Sequence, residues 1–199
     1  MNQLIHDVKN RDERKGFTLV EMIVVVALIL ILAAIGFVSM LHYRTIIRVN
    51  ASARELAGQM RLARAQAIRN GKPMMVRFNS AGNYYEIGQS KNENNTFDSF
   101  WRTERLEPGI GFGFYGGISG IPGHPSPPIK PVDIRLGAQN YVHFRHDGTA
   151  SYSGAVYISP VSDLAGTAAR DDRNRAVDWD AATGRIRSWK WQQQAHQWR

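Results

Sequence analysis

The sequence predicts an α+β chain in which one long N-terminal helix packs on a domain of antiparallel strands. Three observations carry this. Residues 17–41 form one apolar run in which Glu21 is the only charged residue. From Val49 to Ala67, apolar residues recur at three- and four-residue steps, the period of a helix with one buried face. Beyond Pro73 the pattern changes to short alternating runs between turn residues, the mark of strands. The 199-residue chain thus divides into 1–16, 17–41, 42–70 and 71–199, and a long helix followed by strands implies a helix layered on a sheet.

Composition narrows the chemistry. Hydrophobic residues make up 43% of the chain, but a large share lies between Phe17 and Leu41, so the remainder must build a small core. There is no cysteine, which excludes a disulfide framework, a thiolate metal site and a thiol nucleophile. The formal net charge is +8. A basic surface suits nucleic acid, anionic lipid or acidic partners, and equally fits a generally basic background.

The first 41 residues admit three readings: a secretory signal, a membrane-spanning helix, or a membrane-spanning helix processed at its cytoplasmic end. A secretory signal has a short apolar core, whereas Met22 to Val38 carries no polar side chain at all. The run from Phe17 to Leu41 meets the ~20 residues a transmembrane helix needs. The third reading rests on Lys15-Gly16-Phe17-Thr18-Leu19-Val20-Glu21. This stretch closely resembles the prepilin signal of type IV pilins and type II secretion pseudopilins. The resemblance implies removal of a leader, residues 1–16, by a prepilin peptidase that cuts between Gly16 and Phe17. It also implies N-methylation of Phe17. The leader is somewhat long for that group and contains acids.

Glu21 needs a reason in an apolar helix. A charged carboxylate at the middle of a membrane helix costs roughly 2.5–3.5 kcal/mol, and less near the end. Cleavage before Phe17 creates an α-amine whose reference pKa is about 7.7–8.0, and Glu21 lies one helical turn away. Pairing of Glu21 with the Phe17 amine of a neighbouring subunit would set the axial register of a filament, a role the resemblance supports. The alternative is a glutamate that snorkels or pairs within its own chain. Orientation is nearly balanced by charge, with Lys9, Arg11, Arg14 and Lys15 before the run and Arg44, Arg48 and Arg54 after it. The processing motif implies an inner-membrane anchor with the C-terminal domain outside the cytoplasm.

The stripe Val49, Ala53, Leu56, Met60, Ala63 and Ala67 continues the helix to about Asn70, where Gly71 and Pro73 stop it. "MMVRFNS", the turn "AGN" and "YYEIGQS" read as a hairpin. "YVHFRHDGTASYSGAVYISP" suggests two strands around Asp147-Gly148, and "AVDWD" and "RIRSWKW" a final pair around Ala182-Thr183-Gly184. The Gly/Pro-rich stretch from Glu107 to Pro131 reads as one long loop. From Ala51 to Trp191, "MMVRF", "DGTA" with a following "VYI", and "TGRIR" resemble the GspH/FimT group of minor pilins.

Catalytic chemistry finds no constellation. "GIGFGFYGG" lacks the following helix and the Gly-Lys-Ser/Thr of a phosphate loop. His143 and His146 are three apart, which places them on opposite sides of a strand. Asp163, Asp171 and Asp172 lack EF-hand spacing, and no serine sits in a nucleophile elbow. The expectation is a non-enzymatic chain without a cofactor or metal. The basic C-terminal strand is the remaining candidate. Arg185, Arg187 and Trp189 alternate onto one face, with Lys190 and Ile186 opposite. Arginine supplies bidentate phosphate contacts and tryptophan a stacking surface for bases. Gly184-Arg185-x-Arg187 also resembles a glycine-arginine motif linked to DNA binding in FimT-type pilins. Arg185, Arg187 and Lys190 are therefore candidate DNA contacts, and sheet closure or subunit contact is the competing role. The expected function is that of a minor pseudopilin of type II secretion, with other pilin-like subunits as partners. The alternative is a type IV minor pilin that primes assembly or takes up DNA.

Overall fold

A computed structural model describes residues 16–115, 117–125, 127–134, 138–164, 173–192, 195 and 197–199, with the side chains of 35–42 excepted. The chain divides at Leu41/His42 into two compact units.

Helix α1, Leu19–Asn70, begins in the first unit. Thr18 caps it: its Oγ1 accepts the Glu21 N–H at 3.2 Å, satisfying a donor that the first turn leaves open. Thr18-x-x-Glu21 is the sequence of a capping box, and Glu21 adds negative charge at the positive end of the helix. Phe17, Leu19, Ile23, Leu28 and Leu32 are all exposed. Among the described residues no helix is long and apolar enough to cross a membrane. The described apolar side chains stop at Ala34, and the rest of the expected 17–41 span lies outside them.

In the second unit, α1 buries Val49, Ala53, Leu56, Ala57, Met60, Ala63 and Ala67. It stops at Asn70 because Gly71 takes φ 65°, a left-handed conformation that ends a helix without a side-chain penalty. Ten strands follow. Strands β1 (Met74–Asn79), β2 (Tyr84–Gln89) and β3 (Ser99–Arg105) join β6 (Tyr141–Phe144) in a sheet ordered β3-β2-β1-β6. The expected first hairpin is β1–β2, with Asn79 facing Tyr84.

The second sheet contains β4 (Ile110–Phe112), β7 (Gly154–Pro160), β8 (Arg175–Trp179), β9 (Ile186–Gln192) and β10 (Gln197–Trp198). Its order is β10-β9-β8-β7-β4, and β5 (Val132–Ile134) also pairs with β7. A one-turn helix, α2 (Val161–Leu164), follows β7. The two strands flanking Asp147-Gly148, β6 and β7, lie in different sheets. Pairing β6 with β1 and β7 with β8 keeps the apolar side of each toward α1.

One core serves both sheets. Val76, Phe78 and Ile87 from the first and Val156, Val177 and Trp179 from the second close on the buried stripe of α1. Trp179 stacks on Phe78 with ring centroids 5.9 Å apart, and its indole N–H donates to the Tyr152 carbonyl at 2.8 Å. A second cluster lies on the other face of the second sheet, where Tyr115, Ile118 and Ile121 meet Tyr157, Trp191 and Trp198. This corrects the expectation of one long loop. The Gly/Pro-rich stretch contributes β4, and its Ile118 and Ile121 are buried, covering a sheet face that would otherwise expose aromatic rings to water. Near the C-terminus, β10 pairs with β9, and Trp198 donates to the Ser119 carbonyl at 2.8 Å.

Candidate assembly and binding residues

Gly16 and Phe17 lie just before the capped start of α1. A Cβ at Gly16 would meet nothing within 4 Å, and Phe17 is 75% exposed. The bond expected from the sequence to be cut therefore lies outside the helix, between two exposed residues. Lys9, Arg11, Arg14 and Lys15 lie outside the described residues. Glu21 sits at the third helical position, exposed among exposed apolar neighbours. An apolar surface of this extent requires lipid or protein cover.

The C-terminal candidates are positioned by the β8–β9 hairpin. Its turn is held by Asp180, whose Oδ1 accepts from Thr183 N–H at 2.9 Å and Thr183 Oγ1 at 2.8 Å. Those bonds hold the Asp180 carboxyl below its usual range. Gly184 closes the turn at φ 60°, and a Cβ there would lie 2.0 Å from the Gly148 carbonyl oxygen. Arg64 of α1 ties the two turns together, donating from Nε to the Gly148 carbonyl at 2.8 Å and from NH2 to the Thr183 carbonyl at 3.0 Å. Arg61 reaches the Ile186 carbonyl at 3.2 Å. The glycine of the Gly-Arg motif thus has a packing role of its own.

Beyond the turn the candidates separate. Arg185 is exposed at the start of the strand. Arg187 is bound to Asp178, its cross-strand neighbour, through Nε at 3.1 Å and through NH2. Trp189 shares its face: the Arg187 guanidinium lies 5.0 Å from its ring centroid, and the indole N–H donates to Asp178 Oδ1 at 2.9 Å. Burial would push the Asp178 carboxyl up. Hydrogen bonds from His124, Arg187 and Trp189 outweigh it and hold the group below the usual carboxylate range. The same hydrogen bond to Asp178 raises Arg187. Lys190 lies on the opposite face, as the two-residue repeat predicts, in a groove with Asn50, Arg54 and Ser188. Arg187 and Trp189 come together, Lys190 shares its groove with Trp189, and Arg185 precedes the strand. Sequence reasoning missed Asp178, although the register of the hairpin pairs it directly with Arg187.

The other candidates are placed plainly. His143 is fully buried and His146 exposed. Asp163 is buried and pairs with Arg173 at 3.5 Å, whereas Asp171 and Asp172 lie outside the described residues. Among the described residues no group of three or more His, Asp or Glu could hold a metal ion.

Comparison with known proteins gives two family matches. Residues 52–184 match the model for the type II transport protein GspH, and residues 11–37 match the prokaryotic N-terminal methylation motif. The first match covers more than half the chain and ends at Gly184, so Arg185, Arg187 and Lys190 fall beyond it. No curated protein matches. Among solved structures, the minor pseudopilin EpsH from the type 2 secretion system of Vibrio cholerae is 16% identical, with TM-score 0.44, covering 71% of this chain and 95% of that one. The type IV minor pilin FimU of Pseudomonas aeruginosa PAO1 is 12% identical, with TM-score 0.45, covering 70% and 86%.

Proposed function

The chain belongs to the family of the type II transport protein GspH, and we propose that it acts as a minor pseudopilin of a type II protein secretion system. On this reading, a prepilin peptidase cuts between Gly16 and Phe17, and the new amino terminus on Phe17 is methylated. The apolar half of α1 anchors the chain in the bacterial inner membrane, with the second unit on the non-cytoplasmic side. From there the chain joins other pilin-like subunits in a filament.

The observation that carries the proposal is the continuity of a methylation-motif segment with a GspH-family domain through a single helix, α1. The apolar surface of that helix would be covered first by lipid and then by neighbouring helices. Glu21 would pair with the Phe17 amine of a neighbour and so fix axial register. The chain works by assembly rather than catalysis.

A cysteine-free sequence makes the proposal testable by cross-linking. A single cysteine at Ile23, paired with single cysteines in candidate pilin-like subunits, should give disulfide-linked heterodimers in membranes. Glu21→Ala should reduce their yield. Absence of any such product, with the chain present in membranes, would refute assembly through this helix.

A second reading, a type IV minor pilin that primes assembly or binds DNA, is supported by exposed Arg185 and the net charge of +8. The engagement of Arg187 by Asp178 weighs against it, because a guanidinium bound to a buried carboxylate has less to offer a phosphate. Binding of duplex DNA across a salt series separates the two. Phosphate contact predicts a log–log slope of about −0.9 per phosphate neutralised, diminished in Arg185→Ala. No binding at low salt favours the secretion reading.

A further inference from the structure

We propose that the groove between the end of α1 and strand β3 is a binding site for a neutral saccharide, with Trp101 as its stacking surface. The groove has a volume of about 260 Å³. Gln66 and Asn70 line it from α1, Gln89 from β2, and Ser99, Phe100 and Trp101 from β3, with buried Met74 beside them. No side chain in this lining is charged, on a chain whose net charge is +8. The chemistry is instead three carboxamides, a hydroxyl and two aromatic rings.

That set matches a sugar. A carboxamide offers a donor and an acceptor in one plane, which suits neighbouring hydroxyl groups that each donate and accept. Asn70 Nδ2 donates to Gln66 Oε1 at 3.3 Å, so Gln66 retains its amide donors and Asn70 its carbonyl acceptor for a ligand. Sugars also present faces of C–H groups, which pack on aromatic rings. Phe100 is 55% exposed and Trp101 41%, and each is costly to leave in water without a partner. The neighbouring Arg102 is already engaged: it pairs with Glu104 at 3.1 Å and lies 5.1 Å from the Trp101 ring centroid.

A β-bulge aims Trp101. Arg102 pairs with Ile87 and Phe100 with Gly88, so Trp101 is an extra residue without a cross-strand partner. β3 approaches β2 closely at Gly88, where a Cβ would lie 2.6 Å from the Ser99 carbonyl oxygen. The bulge also separates a sugar from an extended peptide as occupant. β3 is an edge strand, and a peptide adding to it would need regular backbone spacing. The bulge interrupts that spacing, and charged Arg102, Glu104 and Arg105 follow it. The site favours a ligand that uses side chains.

The test uses the full chain in a detergent without a sugar headgroup, titrated with N-acetylchitotetraose and with maltotetraose by calorimetry and tryptophan fluorescence. Saturable binding of at least one is expected, with affinity unchanged as salt is raised. Trp101→Ala should weaken it by about tenfold or more, and Trp101→Phe should retain part of it. Gln66→Ala should weaken it several-fold. Circular dichroism should show every variant folded, since these residues are outside the core. The proposal is overturned if neither saccharide binds saturably, if Trp101→Ala binds as the wild type does, or if affinity falls steeply with salt.

Discussion

Gly184→Ala tests the packing of the two turns against α1. Gly184 adopts φ 60°, and its missing Cβ would lie 2.0 Å from the Gly148 carbonyl oxygen and 2.7 Å from Arg64 Nε. Three costs follow. A non-glycine residue in the left-handed region costs about 1–2 kcal/mol. Backbone cannot retreat as a flexible side chain does, so the turns must part. Parting them weakens the two Arg64 hydrogen bonds, each worth about 0.5–1.5 kcal/mol. The sum is roughly 3 kcal/mol or more, which for a domain of this size lowers Tm by about 6–12 °C. Gly58→Ala is the internal control. That glycine is exposed within α1, with nothing within 4 Å of its Cβ position, so alanine should be neutral or stabilise by up to about 1 kcal/mol. Calorimetric melting of both variants checks the pair. A Gly184→Ala protein that melts within about 1 °C of wild type would refute the steric argument.

Other outcomes follow from the same contacts. Arg187→Ala leaves the buried Asp178 with His124 and Trp189 among the described residues and should destabilise by about 1–3 kcal/mol, read from the urea midpoint. Because the folded-state pKa of Asp178 is depressed, its contribution is present above the unfolded carboxylate value of about 3.9 and is lost as pH falls further. Asp178→Asn should therefore flatten the loss of stability below about pH 4. The His143 contribution begins to change at higher pH. Burial lowers its pKa, opposed by the Glu93 carboxylate and the Asn94 backbone and aided by Arg145, with the Tyr141 ring packed edge-on at 5.3 Å. Its neutral form stabilises the fold above about pH 6.5, so wild type should lose Tm on acidification from there, and His143→Phe should lose less. Glu93→Gln, which breaks a half-exposed pair with Arg145, should cost no more than about 1 kcal/mol in the same assay.

The elements with a full period were legible in the sequence. The helix end at Asn70 could be read because Gly71 and Pro73 follow a sustained apolar stripe. β1 and β2 could be read because six-residue runs flank a four-residue turn. β4 and β5 were not, because three residues hold no alternation and their surroundings are glycine and proline. Ile118 and Ile121 looked like loop residues because their partners, Tyr157 and Trp191, are distant in sequence. β3 was missed because Phe100 and Trp101 are adjacent, the bulge breaking the two-residue repeat. Among the candidate residues, the motif around Gly16 and Phe17 and the shared face of Arg187 and Trp189 were readable. The carboxylate that occupies Arg187 was not, since the pairing depends on the register of a whole hairpin.

In the proposed function assembly depends on processing, so the most direct measurement is the mass of the chain's amino terminus after extraction from membranes containing the prepilin peptidase. The account predicts a mature chain that begins at N-methylated Phe17. A chain that still begins at Met1 or Asn2, in membranes where other prepilins are processed, would contradict it.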